Sequence, residues 1–408
     1  MTLIDRFLRY VKVDTQSNQN SDSCPSTKKQ FDLANILVKE LQEMGAQDIS
    51  LDENCYLMAT IPSNTTKETP TIGFIAHLDT SPDMSGKEVN PQIVKNYNGG
   101  DIVLNKENKV ILSPSSFPEL ANYVGQDLIT TDGTTLLGAD DKAGVAVIME
   151  LAKFLTDNKS FEHGEIKIAF TPDEEIGRGA DKFDVEKFNA HFAYTVDGGE
   201  IGELEYETFN AAGAKIIISG RNVHPGYAKD KMVNANIIAQ ELNALLPVNQ
   251  RPEFTTNYDG FFHLISVVST VEKAVVEYII RDHSTAKFQN KIEVMKLAVE
   301  FINNRYGKDC AKLEIIEQYK NMGEIISENM HIVDLAEKAM LKADVKPLIV
   351  PIRGGTDGAR LSFMGLPTPN IFTGAHNFHG RFEFLPIGSI EKSFETVKNI
   401  VQLSLTDN

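Results

Sequence analysis

Three six-residue apolar runs, TIGFIA, EIKIAF and HFAYTV, bound what this chain can fold into. Each has the length and continuous hydrophobicity of a buried strand. Helical patterns separate them. Phe31 to Met44 is helix-like and stops at Gly45, and Val145, Ile148, Met149, Ala152 and Leu155 mark one face of another helix. Strands alternating with helices predict an α/β sheet covered on both faces. From Ser81 to Thr135 the pattern weakens amid Asn, Gly and Pro, which predicts a long excursion with small strands of its own.

Residues 210–320 follow a different rhythm. AKIIISG reads as a strand, MVNANIIAQELNALL as a helix stopped by Pro247, FFHLISVVST and AVVEYIIRD as paired strands, AKFQNKIEVMKLAVEFINNRYG as a helix and KLEIIEQY as a last strand. The order β-α-β-β-α-β is that of a self-contained ferredoxin-like unit. Beyond 321 the α/β rhythm returns: helix HIVDLAEKAMLKA, strand LIVPI, helix GARLSFM, strand TPNIF and a closing helix from Ile390. The expected organisation is an α/β domain over 1–209 and 321–408, with an inserted domain at 210–320.

A formal net charge of −17 makes nucleic acid and anionic membranes poor partners. The 3 cysteines, Cys24, Cys55 and Cys310, are odd in number and far apart, so neither a disulfide framework nor a thiolate zinc site is expected. The N-terminal MTLIDRFLRYVKVDT reads as an amphipathic helix and not a signal peptide. No apolar run approaches the ~18 residues of a membrane span. A reducing cytoplasm is the expected setting.

Five segments carry acids or histidines after strand-like runs: IGFIAHLDT, TTLLGADD, IKIAFTPDEE, FAYTVDGG and PNIFTGAHNFHG. Loops beyond the carboxyl ends of strands in an open α/β sheet form its ligand crevice. One shared sheet would therefore gather His77, Asp79, Asp140, Asp141, Glu174, Glu175, Asp197 and His379. Taken singly, each has an ordinary explanation: a hydrogen-bonded strand-end histidine, an N-cap with a first-turn acid, a solvated turn. Recurrence after five runs is what points to a metal. Imidazole and carboxylate without thiolate suit zinc, manganese or cobalt. Adjacent Asp140 and Asp141 would repel unless a cation sat beside them. In HLDT, residues two apart face the same side, so Asp79 is placed to orient the His77 ring.

HLDT, LLGADDKAGVA, TPDEEIGRGA, VDGG and HNFHGRFEF together resemble the motifs of the co-catalytic dinuclear zinc exopeptidases, the family that includes aminoacylase and bacterial glutamate carboxypeptidases. The longer stretches HLDTSPDMSGKEVNPQIV, SGRNVHPGYAKDKMVNA and PIRGGTDGARLSFMGLPTPNIFTG are similar to a bacterial aminotripeptidase branch of it, and the likeness spans essentially the whole chain. The resemblance implies a zinc-exopeptidase-like mixed sheet with the ferredoxin-like insertion as a lid. It implies two divalent ions, zinc first, with cobalt or manganese as alternatives. His77 and Asp197 would hold one ion, Glu175 and His379 the other, and Asp140 would bridge them. Glu174 would be the general base and Asp79 would orient His77. The choice of Glu174 over Glu175 as base, and of His379 over His376 as ligand, comes from the resemblance alone.

The expected activity is removal of the N-terminal residue from tripeptides by a metal-activated water. His224, in NVHPG, would reach toward the oxyanion. Arg353, in a glycine-rich loop, would grip the peptide's C-terminal carboxylate, for which guanidinium is a bidentate partner. Asn377 would contact the substrate backbone or amine, or else serve as a turn residue. A homodimer is left open, since in related proteins the histidine matching His224 comes from a partner subunit or from lid closure. The competing expectations are an N-acyl amino acid deacylase or carboxypeptidase of the same family, and a non-catalytic metal- or peptide-binding protein. A pure binder has no need of an unligated base beside a full ligand set.

Overall fold

A computed structural model describes residues 1–405, which fall into two compact units. One comprises Met1–Tyr206, Glu324–Val350 and the chain from Thr356 onward; the other comprises Glu207–Gly323 and Pro351–Gly355.

The first unit is built on an eight-stranded mixed sheet. Its middle is parallel: Ile166–Thr171, Ile72–His77, Phe192–Gly198 and Asn370–Phe372 lie side by side in that order. These strands are almost wholly buried, as continuous apolar runs require when helices cover both faces. Leu57–Ile61 and Gln47–Leu51 extend the sheet antiparallel on one side; Glu203–Glu205 and Leu348–Ile349 extend it on the other. Helix Gln30–Met44 ends at Gly45, whose φ of 81° is the left-handed conformation of a helix stop. The N-terminal helix Leu3–Tyr10 opens with a capping box between Thr2 and Asp5. Four small strands occupy the 81–135 excursion: Gln92–Val94, Ile102–Asn105, Val110–Leu112 and Leu128–Thr130.

One expectation fails. TTLLGADD does not follow a strand of the central sheet. The preceding strand, Leu128–Thr130, pairs instead with Gln92–Val94 and Phe384–Pro386 in a separate three-stranded sheet. Leu136 and Leu137 form no ladder because their N–H groups are taken elsewhere, by the Ser85 carbonyl at 3.1 Å and the Glu383 carboxylate at 2.7 Å. Asp140 therefore reaches the sheet at the start of helix Ala139–Asp157, not from a strand end.

The second unit has the β-α-β-β-α-β order. Its antiparallel sheet runs Phe261–Ser269, Lys273–Asp282, Asn210–Ser219, Ala311–Tyr319, with helices Ala235–Leu245 and Thr285–Tyr306. Alternate residues Ile216, Ile218, Val276, Tyr278 and Ile280 pack with Leu242, Met295 and Ile302 from the helices. The run LIVPI shortens to Leu348–Ile349, because Ile352 N–H donates to the Glu207 carbonyl at 2.9 Å and so joins the inserted unit.

Helix Ala139–Asp157 packs on Phe192–Gly198 so closely that a Cβ at Gly144 would lie 1.9 Å from the Val196 carbonyl oxygen. Helix propensity alone would make Gly144→Ala stabilising by roughly 1 kcal/mol. Overpacking against a backbone atom costs typically ~1–3 kcal/mol or more and decides the sign. Gly144→Ala should therefore lower the denaturant midpoint; an unchanged or raised midpoint would show that the helix can lift off the strand freely.

Candidate metal centre

His77 closes strand Ile72–His77 and is buried. Its Nδ1 is bound by the Asp79 carbonyl at 3.0 Å, with Asp79 Oδ1 3.4 Å away. That directs Nε2 outward, to Asp140 Oδ1 at 2.8 Å and Asp197 Oδ1 at 3.5 Å. The buried Asp79 carboxylate also accepts the N–H groups of Glu174 at 3.0 Å and Glu175 at 3.3 Å. One side chain thus ties the end of the His77 strand to the acidic turn beyond Ile166–Thr171. The other oxygen of Asp140, Oδ2, lies 3.2 Å from His379 Nε2, which is 2.9 Å from Glu175 Oε2. Two triads result, His77–Asp140–Asp197 and Asp140–Glu175–His379, each with donor atoms within 4.8 Å of one another. They share Asp140, one oxygen to each histidine.

Asp140 and Asp141 leave the helix start in different directions because neither has helical dihedrals (φ −82°, ψ 105° and φ −120°, ψ 34°). Asp141 turns into the protein, accepting the N–H of His77 at 3.2 Å and of Gly144 at 3.1 Å. The next residue, Lys142, does not neutralise the pair: its Nζ is buried and donates to the Val13 carbonyl at 2.6 Å.

The electrostatics call for positive charge. Burial, then the neighbouring Asp140, pushes the Glu175 carboxyl up to about 8. Burial also pushes Asp197 up to about 6 and raises Asp141 and Glu174 well above the carboxylate range, Asp197 adding to both. Asp140 is the exception: burial opposes its charge, but His379 and His77 hold it below the usual range. Hydrogen bonds to Asp140 and Glu175 lift His379 to about 11. Burial works against a charged His77, yet Asp197, Asp140 and Asp79 raise it. A cation placed among these groups would favour their deprotonated forms. Glu175 Oε1 is buried without a hydrogen-bond partner among the described residues. Two imidazoles and three carboxylates without thiolate form a donor set that fits zinc, manganese or cobalt.

The neighbouring His376 is engaged otherwise. Its Nε2 meets the Tyr123 hydroxyl at 2.6 Å, its ring stacks on Phe384 at 4.8 Å, and burial pushes it down to about 4. It is thus a neutral packing residue, which separates it physically from His379. Asn377 has φ 59° and donates its amide to the Phe382 carbonyl at 3.3 Å, closing the loop that carries His379.

Two further candidates lie in the inserted unit. His224 is exposed, and its Nδ1 accepts the Gly226 N–H at 3.2 Å, which leaves Nε2 as a ring donor. Arg353 donates to the Asn257 and Asp259 carbonyls at 2.5 and 3.0 Å and to Thr255 Oγ1 at 3.0 Å, with its guanidinium over Phe209 and Phe261.

Sequence reasoning missed three buried acids that support the site. Asp173, at φ 58°, accepts the Ser26 N–H and the Gln30 amide, both at 2.6 Å, and so anchors the turn that presents Glu174 and Glu175. Asp357 accepts from the Thr171 hydroxyl at 2.7 Å, and burial pushes it up to about 7. Glu383 accepts backbone N–H groups from the segment carrying Asp140. Each sits inside or beside a motif, but nothing in its spacing marks it as structural support.

A family model described as a peptidase dimerisation domain matches residues 206–310, and one described as M42 glutamyl aminopeptidase matches residues 129–248. The chain is 59% identical over 403 residues to a peptidase T of Alkaliphilus oremlandii, covering 98% of both chains. It is 60% identical over 404 residues to one of Parabacteroides distasonis, covering 99% of both. Among solved structures, aminopeptidase PepT of Bacillus cereus superposes with a TM-score of 0.78 at 24% identity, over 99% of this chain and 98% of that one, which speaks to the fold.

The protonation states have a measurable consequence. With His379 at about 11 and Glu175 at about 8, both hold protons at pH 7 and must release them to ligate an ion. Adding zinc to metal-free protein in weak buffer at pH 7 should release on the order of two to three protons per chain, from His379, Glu175 and the raised His77. Apparent affinity should rise with pH through 6 to 8, because ion and protons compete for the same atoms. Binding without proton release would show that the histidines and Glu175 are not the donors.

Proposed function

The chain belongs to the peptidase T family, and from that premise we propose that it is a tripeptide aminopeptidase working through two divalent ions held by the triads around Asp140. The observation that carries the reading is the sharing of one carboxylate, Oδ1 facing His77 and Oδ2 facing His379. His77, Asp197 and Asp140 would hold one ion, and Asp140, Glu175 and His379 the other. Bound there, the pair would lower the pKa of water and polarise the scissile carbonyl.

The chain's own groups supply the rest. Glu174 follows Asp173 in the anchored turn, and Asp79 fixes its backbone N–H. Burial raises its carboxyl well above the ordinary range. A carboxylate so placed takes the attacking water's proton and returns it to the leaving amine. We assign His224 Nε2–H as donor to the oxyanion. Arg353, preorganised between Phe209 and Phe261, would read the C-terminal carboxylate of a free peptide.

A homodimer is supported by the match of 206–310 to a peptidase dimerisation domain. The edge strand Phe261–Ser269 presents Val267 and Val268, 46% and 71% exposed, which a second chain would cover. No helix among the described residues is long and apolar enough to cross a membrane. Cys24, Cys55 and Cys310 are all free, which suits a reducing compartment, and we place the protein in the cytoplasm.

Purified protein should release the N-terminal amino acid from tripeptides, and a chelator should abolish this. Glu174→Ala should keep its metal content while turnover falls ~10²–10⁴-fold. Lost metal, or a near-normal rate, would remove Glu174 from the role of base. Arg353→Ala should forfeit a charge-assisted contact of roughly 1.5–3 kcal/mol. That corresponds to on the order of 10- to 150-fold in kcat/KM for a free tripeptide, and much less for its C-terminal amide. Equal losses on acid and amide would place C-terminal recognition elsewhere.

A further inference from the structure

The loop that carries His379 has a second anchor at its base. His376 and Phe384 exchange backbone hydrogen bonds at 2.9 and 3.1 Å, closing a loop with His379 at its tip. Glu383 stands one residue before the closure and is almost fully buried. Its Oε2 accepts the N–H groups of Leu137 and Gly138 at 2.7 and 2.8 Å; its Oε1 accepts those of Ala139 and Asp140 at 2.7 and 3.2 Å. These donors lie at the N-terminus of helix Ala139–Asp157, which has no side-chain cap of its own. Orphan N–H groups at a helix start need acceptors, and the helix dipole favours an anion there. Glu383 supplies both from a point 243 residues further along the chain than Asp140.

We propose that Glu383 is a positioning residue for the dinuclear centre: it clamps the backbone that carries Asp140 and, through the same loop, sets His379 against it. Two donors of the Asp140–Glu175–His379 triad thus have their relative placement fixed by one carboxylate that contacts no ion itself. His77 and Asp197 hang from other strands and do not depend on the clamp. Its loss therefore weakens the ion at the Glu175–His379 side more than the ion at the His77–Asp197 side. The inference rests on the two-ion reading above.

The geometry dictates the variants. A Gln at 383 would turn an amide NH₂ toward two backbone N–H groups, donor against donor. An Asp keeps the charge but is one methylene too short to hold both pairs. Cobalt titrations of metal-free protein, followed by calorimetry and by cobalt absorption, resolve two binding steps in the wild type. In Glu383→Gln the site at the Glu175–His379 side, identified as the step missing in Glu175→Ala, should lose ~10–100-fold in affinity, the usual consequence of removing a ligand-orienting partner, while the other site changes several-fold less. Glu383→Asp should fall between. Circular dichroism and melting of the metal-free variants report folding separately; if Glu383→Gln fails to fold, the same unequal loss is read from Glu383→Asp. Folded variants that take up two ions with wild-type affinities, or that lose both equally, would overturn the proposal. A wild type that binds no pair of ions would instead overturn the two-ion reading and leave the clamp a helix cap.

Discussion

Asp140 offers one oxygen to a histidine on a strand end and the other to a histidine on a loop more than 200 residues later. Several buried groups of the first unit support that sharing. Between two imidazoles Asp140 keeps its charge, but the acids crowding around it, Asp197, Glu175 and Glu174, are raised by burial and by one another. The same crowding raises both histidines and the Glu175 carboxyl. A pair of divalent cations would neutralise the same cluster without asking carboxyl groups to give up their charge. Cation binding would relieve the like-charge repulsion, and this links the sequence ADD to the proposed chemistry.

Precision at Asp140 comes from elements that never touch it through side-chain ligation. The parallel strands bring His77, Asp197 and the Glu174–Glu175 turn to one end of the sheet, since all three follow strands running the same way. Asp79 then locks the His77 ring and the acidic turn together. Asp173, gripped by Ser26 and Gln30, holds the turn from behind. Gly144 lets the Asp140 helix sit against the Asp197 strand at backbone contact. The geometry of the candidate site is thus set by buried hydrogen bonds to backbone N–H groups, which are stiffer than contacts between flexible side-chain tips.

Much of this was legible in the sequence. The apolar runs TIGFIA, EIKIAF and HFAYTV carry strand length and continuity on their face, and the acids after them announce a strand-end crevice. The 210–320 rhythm likewise declares its order, because each helix and strand there keeps its own period. TTLL misled because four apolar or β-branched residues look like a strand whatever their N–H groups do; the Ser85 carbonyl takes the N–H of Leu136, and Glu383, far along the chain, takes that of Leu137. LIVPI failed for the same reason, with Glu207 as the competing acceptor. Long-range acceptors leave no local trace. Nor does the difference between His376 and His379, which depends on Tyr123 and Phe384 closing around one ring and not the other.

The central claim is that a single carboxylate serves two ions. Metal stoichiometry of four proteins tests it most directly, by titrating metal-free wild type, Asp197→Ala, Glu175→Ala and Asp140→Ala with zinc under identical conditions. The account predicts two tightly held ions in the wild type, one in each of the single-triad variants, and none in Asp140→Ala, all four remaining folded. An Asp140→Ala protein that still holds one ion as tightly as the wild type would show that Asp140 belongs to one site only, and the shared-carboxylate account would be wrong.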